Sequence, residues 1–357
     1  MESVLGQIGP RPSRARRIIL KSNKITSRYY AIDPLTGKTT HSNAQLTAEA
    51  IRNLGDEATT KLDLLVCGTT VPDQLMPNHA LMVHGELGID PLEVVSTAGI
   101  CLSGATALKY AYTAIKSGEA QKAISTGSEN VSASMRAQHF EEEVACKVKA
   151  LEKNLEIAFE KDFLRWMLSD GAGSFLLTNK ANEDTISLKI EKIFSRSYAN
   201  ELETCMYSGC EKLEDGSIRG WREYNQDELV KYSLLSIKQD VKLLNENIIK
   251  YTVTKPLEEM LEKKMFNPSE IDWFLPHYSS GFFRDKVYEG MKKAECDIPQ
   301  EKWFTNLAYK GNTGSASFYI MIEELFNSAK FKKGEKILCY VPESGRFSTA
   351  FILLEVV

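Results

Sequence analysis

Three residues of this chain carry side chains suited to one reaction and stand at comparable places along it. Cys101 follows the apolar run "LEVVS", His277 follows "IDWFLP", and Asn312 follows "KWFTNL". A thiol at the start of a helix feels the positive end of the helix dipole, which favours the nucleophilic thiolate. A histidine and an asparagine can each donate a hydrogen bond to one carbonyl oxygen and stabilise negative charge developing there. A thiolate that accepts an acyl group, facing a pair that stabilises an enolate, is what acyl transfer with carbon–carbon bond formation requires. Each residue alone has a plainer use: a small buried hydrophobe, a structural histidine, a turn or N-cap asparagine. Their coincidence at matched positions is the signal.

The elements that must position them alternate between short β-rich runs and helical periodicity, which implies parallel sheets covered by helices. The first half reads helix "AQLTAEAIRNL", strand "LDLLVCG", helix "PNHALMVHGELG", strand "LEVVS", a helix from Cys101, strand "KAISTG" and then "GAGSFLLT". The second half repeats the order with a long helix from about Asp227, strand "IDWFLP", helix "GFFRDKVYEGMKK", strand "KWFTNL", helix "SASFYIMIEELFNSAK" and strands "KILCYV" and "STAFILLEVV". Spacing supports a duplication: Asp63 to Cys101 is 38 residues and Asp272 to Asn312 is 40, while Gly-Glu pairs at 118–119 and 334–335 precede equivalent strands. The expected halves are 1–185, carrying the cysteine and a charged helical insertion at about 134–168, and 186–357, carrying the histidine and asparagine. All three candidates then lie just past C-terminal strand ends, where α/β sheets gather ligands. The small residues of "TAGICLSG" would let a substrate approach the sulfur and let the turn pack tightly.

Bulk properties narrow the function. With 43% hydrophobic and 26% charged residues in 357, the chain can build a sizeable core without disulfides or metal. A net charge of −4 argues against nucleic-acid binding through a broad basic surface. Seven scattered cysteines suit a reducing cytoplasm, and no apolar run is long enough to span a bilayer. Cys205 and Cys210 lack zinc-knuckle spacing and a matching second pair, so no metal is expected. The basic run "RPSRARR" reads as solvated surface or, more sharply, as a landing site for an acidic carrier protein or a phosphate.

The segments "STAGICLSGATALKYA", "LSDGAGSFLL", "LPH", "GNTGSAS" and "SGRFSTAFILL" resemble the ketoacyl synthase III family of the thiolase superfamily. The resemblance implies a five-layer αβαβα fold, a homodimer, and acyl groups delivered as thioesters of coenzyme A or acyl carrier protein, with no resident cofactor. It implies Cys101 as the acylated nucleophile, His277 and Asn312 on the extender's thioester carbonyl, and an oxyanion hole from the Cys101 and Gly345 amides. In that family, histidine plus asparagine marks priming-type synthases, whereas elongating ones carry two histidines. "NKITSRYYAID", "SENVSASMRAQHFEEE" and "FLRWMLSDGAGSF" look closer to ketosynthases that make dialkylresorcinols and stilbene precursors, which join two β-ketoacyl chains and close a ring.

Ring closure to a resorcinol or cyclohexanedione needs a base. Glu141, Glu142 and Glu143 are the candidates, although an acidic triplet on a helix is ordinarily solvated surface. The competing readings are a priming fatty-acid synthase, a carbon–oxygen or carbon–nitrogen acyltransferase, and a non-catalytic partner subunit. The cysteine in its glycine-rich setting argues against the last.

Overall fold

The computed structural model describes residues 1–8, 16–140 and 163–357. The first half forms strands β1 (Leu64–Thr69), β2 (Glu93–Ala98), β3 (Lys122–Glu129) and β4 (Gly171–Thr178), in the order β2-β1-β3-β4. Of these, β1 runs parallel to β2 and β3, and β4 is antiparallel to β3. Strand β5 (Leu188–Ser197) opens the second half but joins its far edge. A short excursion follows in which β6 (Met206–Tyr207) pairs with β9 (Lys238–Gln239) around a hairpin of β7 (Cys210–Lys212) and β8 (Ile218–Gly220). The second sheet, β10 (Ile271–Pro276), β11 (Lys336–Glu343) and β12 (Ser348–Val356), has the order β10-β11-β12-β5.

Strand periodicity sorts the apolar residues into layers, because successive side chains point to opposite faces. Leu65 and Cys67 of β1 meet helices α1 (Asn43–Arg52) and α2 (His79–Leu87) on the outer face. Their neighbours Leu64 and Val66 face inward, onto α3 (Ser103–Ser117). In the second sheet, Ile337, Cys339, Ala350 and Ile352 join that same central core with Phe318 and Leu325 of the last long helix. Leu338, Tyr340, Phe351 and Leu353 face the other way, onto α4 (Val241–Ile249), α5 (Lys255–Glu262) and α6 (Arg284–Lys293). The last long helix, α7 (Ser317–Asn327), lies beside α3 between the sheets, which completes five layers, αβαβα.

Two expected elements differ. "KWFTNL" is not a strand: its place beside β10 is held by a single parallel bridge between Phe274 and Trp303. Beyond Phe304 the backbone turns, with Leu307 N–H on the Thr305 hydroxyl at 3.3 Å and Asn306 Nδ2 donating to Glu324 at 3.1 Å. The long helix expected from Asp227 is three shorter ones. Gln226–Lys231 stops, Asp240 caps α4 by accepting Leu243 N–H at 2.9 Å, and a π turn over Lys250–Thr254 accommodates Pro256 at the start of α5. Proline has no N–H to donate to the preceding turn, so the register loosens there. Among the described residues no helix is long and apolar enough to cross a membrane.

The halves meet closely where α3 and β3 face the loop before α7. A Cβ on Gly104 or on Gly127 would collide with the Ser315 carbonyl oxygen. Gly104→Ala or Gly127→Ala should therefore cost about 3 kcal/mol by overpacking, read as a lower denaturant midpoint in equilibrium unfolding. An unchanged midpoint for both would show that this contact yields easily.

Candidate functional site

Cys101 lies in the turn after β2, two residues ahead of α3, rather than opening the helix itself. Ser103 fixes that turn, its N–H and hydroxyl both reaching the Ile100 carbonyl, at 3.0 and 2.8 Å. Thr97 Oγ1 donates to the Ser103 carbonyl at 2.8 Å. Ala105 and Leu108 of α3 are buried, while Tyr112 and Ile115 are only partly so. Gly104, counted among the small residues around the sulfur, is used in the crossing with Ser315.

His277 is the first residue after β10 and its N–H donates to the Tyr340 carbonyl at 2.8 Å. The side chain is 4% exposed, and burial brings its pKa down to about 4. At neutral pH the ring is therefore uncharged and can offer one N–H. Asn312 is held by the Leu168 segment: its N–H reaches Met167 O at 3.0 Å, and its carbonyl accepts Ser169 N–H at 2.9 Å. Its side-chain oxygen accepts Gly314 N–H at 3.0 Å, so the amide nitrogen is the end left to donate.

Cys101 and His277 line one chamber of about 40 Å³, with Ser279, Tyr340, Pro342 and Ser344. Asn312 is not part of that lining. Forty cubic ångströms is little more than the share of one water, roughly 30 Å³. A second chamber of about 400 Å³ is lined by Thr70, Ile100, Met206, Glu343 and Gly345, among others. This volume falls in the range of small-molecule sites, on the order of 300–1,000 Å³. Chain neighbours separate the two: Ile100 lines one chamber and Cys101 the other, and Pro342 and Ser344 alternate with Glu343 and Gly345.

Two expectations differ from what the structure holds. Burial pushes the Cys101 thiol well above its ordinary pKa, and the Glu129 and Glu343 carboxylates raise it further. The resting group is the thiol, because two negative neighbours and desolvation outweigh the helix dipole. The Gly345 amide, expected as a free oxyanion donor, gives its N–H to Glu343 Oε1 at 2.7 Å. The turn carrying it ends at Phe347, wholly buried and at φ +60°. Glu141, Glu142 and Glu143 lie outside the described residues, as do positions 11–15 of the basic run. Arg16 of that run pairs with Glu2 at 3.3 Å and stands over the Trp166 ring.

Sequence reasoning passed over Glu129 and Glu343. Glu129, at the end of β3, is 1% exposed and accepts the Thr70 and Ser315 N–H groups at 3.2 and 3.1 Å and the Thr70 hydroxyl at 2.5 Å. It ties β1 to the loop that carries Asn312. Burial raises its pKa to about 7 against those hydrogen bonds. The available signal was a carboxylate closing an otherwise apolar or small-residue strand in each half.

Of the six described cysteines only Cys101 is not buried, so alkylating agents should reach it first. With its pKa raised, the labelling rate should keep climbing through about pH 9, where an ordinary thiol levels off. Peptide mapping after limiting iodoacetamide checks both points; a plateau below pH 8 would contradict the raised pKa. Glu129 gives a second test. A carboxyl whose folded pKa exceeds its unfolded value takes up a proton on folding, so its stabilisation is complete below about pH 4.5 and lost as pH rises through about 7. Glu129→Gln, which keeps an acceptor oxygen, should melt at a temperature less sensitive to pH across that window than the parent.

Residues 261–353 match the family described as 3-oxoacyl-[acyl-carrier-protein (ACP)] synthase III C terminal. The β-ketoacyl-[acyl-carrier-protein] synthase III of Clostridium perfringens is 25% identical over 314 residues, covering 88% of this chain and 83% of that protein. Among solved structures, the tetronic acid condensing enzyme AbyA1 superposes with a TM-score of 0.69 at 19% identity, covering 98% of this chain and 97% of that one. OleA of Xanthomonas campestris, solved with lauric acid and lauroyl-CoA bound, gives 0.70 at 19% identity over 95% of this chain and 88% of that one. The five layers are those of the thiolase fold, and over most of its length the chain is similar in sequence to β-ketoacyl-[acyl-carrier-protein] synthase III.

Proposed function

We propose that the protein is a ketosynthase that loads an acyl group onto Cys101 and condenses it with a second acyl thioester. The observation that carries this reading is the shared chamber: the one described cysteine that is not buried faces a neutral, buried histidine whose ring meets no described hydrogen-bond partner. Cys101 Sγ attacks the thioester carbonyl carbon, the donor's own carbon–sulfur bond breaks, and the Cys101 proton passes to the departing carrier or coenzyme A sulfur, since the free Cys101 thiolate is disfavoured. His277 Nε2 or Nδ1 and the Asn312 amide then hold the carbonyl oxygen of the second thioester while its α-carbon carries charge. The 400 Å³ chamber across the wall suits an acyl chain, which the 40 Å³ chamber cannot hold.

The specialisation we favour is the joining of two β-ketoacyl units followed by ring closure to a resorcinol or cyclohexanedione. The substrates are thioesters of acyl carrier protein or coenzyme A, and the working unit is a cytoplasmic homodimer of two halves divided near residue 185. Similarity to bacterial β-ketoacyl-[acyl-carrier-protein] synthase III supports a second reading, a priming 3-oxoacyl-acyl-carrier-protein synthase III. Products decide between them: the first yields a ring, the second a linear β-ketoacyl carrier.

Cys101→Ala should abolish the acyl-enzyme adduct in intact-mass analysis against a panel of acyl thioesters. Asn312→Ala should still load but condense more slowly, by on the order of a hundredfold if it supplies one oxyanion donor. Normal condensation in the second variant would remove Asn312 from the mechanism.

A further inference from the structure

Strands β3 and β11 hold equivalent places in their sheets, and each ends on a carboxylate. Both run eight residues from a lysine, Lys122 to Glu129 and Lys336 to Glu343. Both carboxylates act on the Cys101 thiol. Their surroundings separate them. Glu129 is held between Thr70 and Ser315 and lines neither chamber. Glu343, 9% exposed, faces the 400 Å³ chamber beside Ile100 and Gly345. Its Oε1 accepts Gly345 N–H at 2.7 Å, and the Arg346 amide and Ser348 also stabilise its charge. Among the described residues no lysine or arginine forms an ion pair with it, and burial raises its pKa. A buried carboxylate without a counter-ion is costly, which sets Glu343 apart from an ordinary turn residue.

The hydrogen bond to Gly345 N–H places that carboxylate where a bound carbonyl oxygen would be received. The β-carbonyl of a β-ketoacyl group, taking this N–H while His277 and Asn312 hold its thioester carbonyl, would displace Glu343 Oε1 and leave the carboxylate beside the methylene between the two carbonyls. We propose that Glu343 is the base that removes a proton from the α-carbon of the acyl group held in the larger chamber. Its use in ring closure rests on the cyclising reading of function given above. The α C–H bond breaks, the proton passes to the Glu343 carboxylate, and the electron pair becomes an enolate. The enolate carbon bonds to the Cys101 thioester carbonyl carbon, and the carbon–sulfur bond breaks with its pair on sulfur. The proton on Glu343 then returns to sulfur and restores the thiol. The sequence needs no oxidant or reductant. A methylene flanked by two carbonyls is acidic enough for a carboxylate of raised pKa.

The test uses the full-length enzyme with a medium-chain β-ketoacyl N-acetylcysteamine thioester in deuterium oxide. Adduct formation on Cys101, enzyme-dependent deuterium uptake at the α-carbon, and products are followed by mass spectrometry. Glu343→Gln should form the adduct yet lose deuterium uptake on the order of a hundredfold, with linear or pyrone-type products replacing the ring. Glu343→Asp, which keeps a carboxylate, should recover part of the uptake. Deuterium uptake by Glu343→Gln at the parent rate overturns the proposal. So does a parallel loss of melting temperature, adduct and uptake in both variants, which would make Glu343 a brace of the β11–β12 turn only. If the parent never makes a ring but takes up deuterium through Glu343, the cyclising reading fails alone and the base assignment stands.

Discussion

The contact on which the rest of the site depends is the seating of Ser315 against the backbone of the first half. Its carbonyl lies over Gly104 and Gly127, where any side chain would intrude. Its N–H is accepted by Glu129 at 3.1 Å, and its hydroxyl reaches the Ser128 carbonyl at 3.0 Å. Close packing of this kind transmits position, because an interior at crystal-like density has no slack to absorb a shift. The loop bearing Asn312 therefore takes its place from β3, and the turn bearing Cys101 takes its place from the same surface through α3. Together with the central core shared by α3, α7 and both sheets, this serine holds the two sheets in one frame.

Electrostatics then work against the reactive group rather than for it. Desolvation and the charges of the two strand-end carboxylates keep the half-buried Cys101 thiol protonated, while the buried histidine that shares its chamber stays neutral. Both groups are thus stored in uncharged forms, in a chamber with room for little more than one water. A thiol stored in this form meets oxidants slowly, since the free thiolate they would attack is scarce.

The fold was legible where the pattern was long and regular. The alternation of short β-rich runs with helical periodicity placed the two sheets, and Cys101 and His277 do lie just past the ends of β2 and β10, whereas the run before Asn312 is no strand. Short-range chemistry hid the rest. Thr305 and Asn306 turn a strand-like run aside with their own side chains, and Pro256 and Asp240 divide what reads as one amphipathic helix. The two strand-end glutamates were passed over because a carboxylate in a run of small residues gives no periodic signal. Their meaning depends on what the other half brings near them, which spacing along the chain does not encode.

Phe347 carries a consequence for how this turn can vary. Its φ of +60° belongs to the left-handed region, where glycine is at ease and a bulky residue is strained. Its ring is fully enclosed in the outer core with Tyr251, where glycine would leave a void. Backbone and core thus make opposite demands on one residue, and no single replacement meets both. A turn caught between such demands is a poor place for gradual drift, so the spacing from Glu343 to Phe347 should change, if at all, as a block.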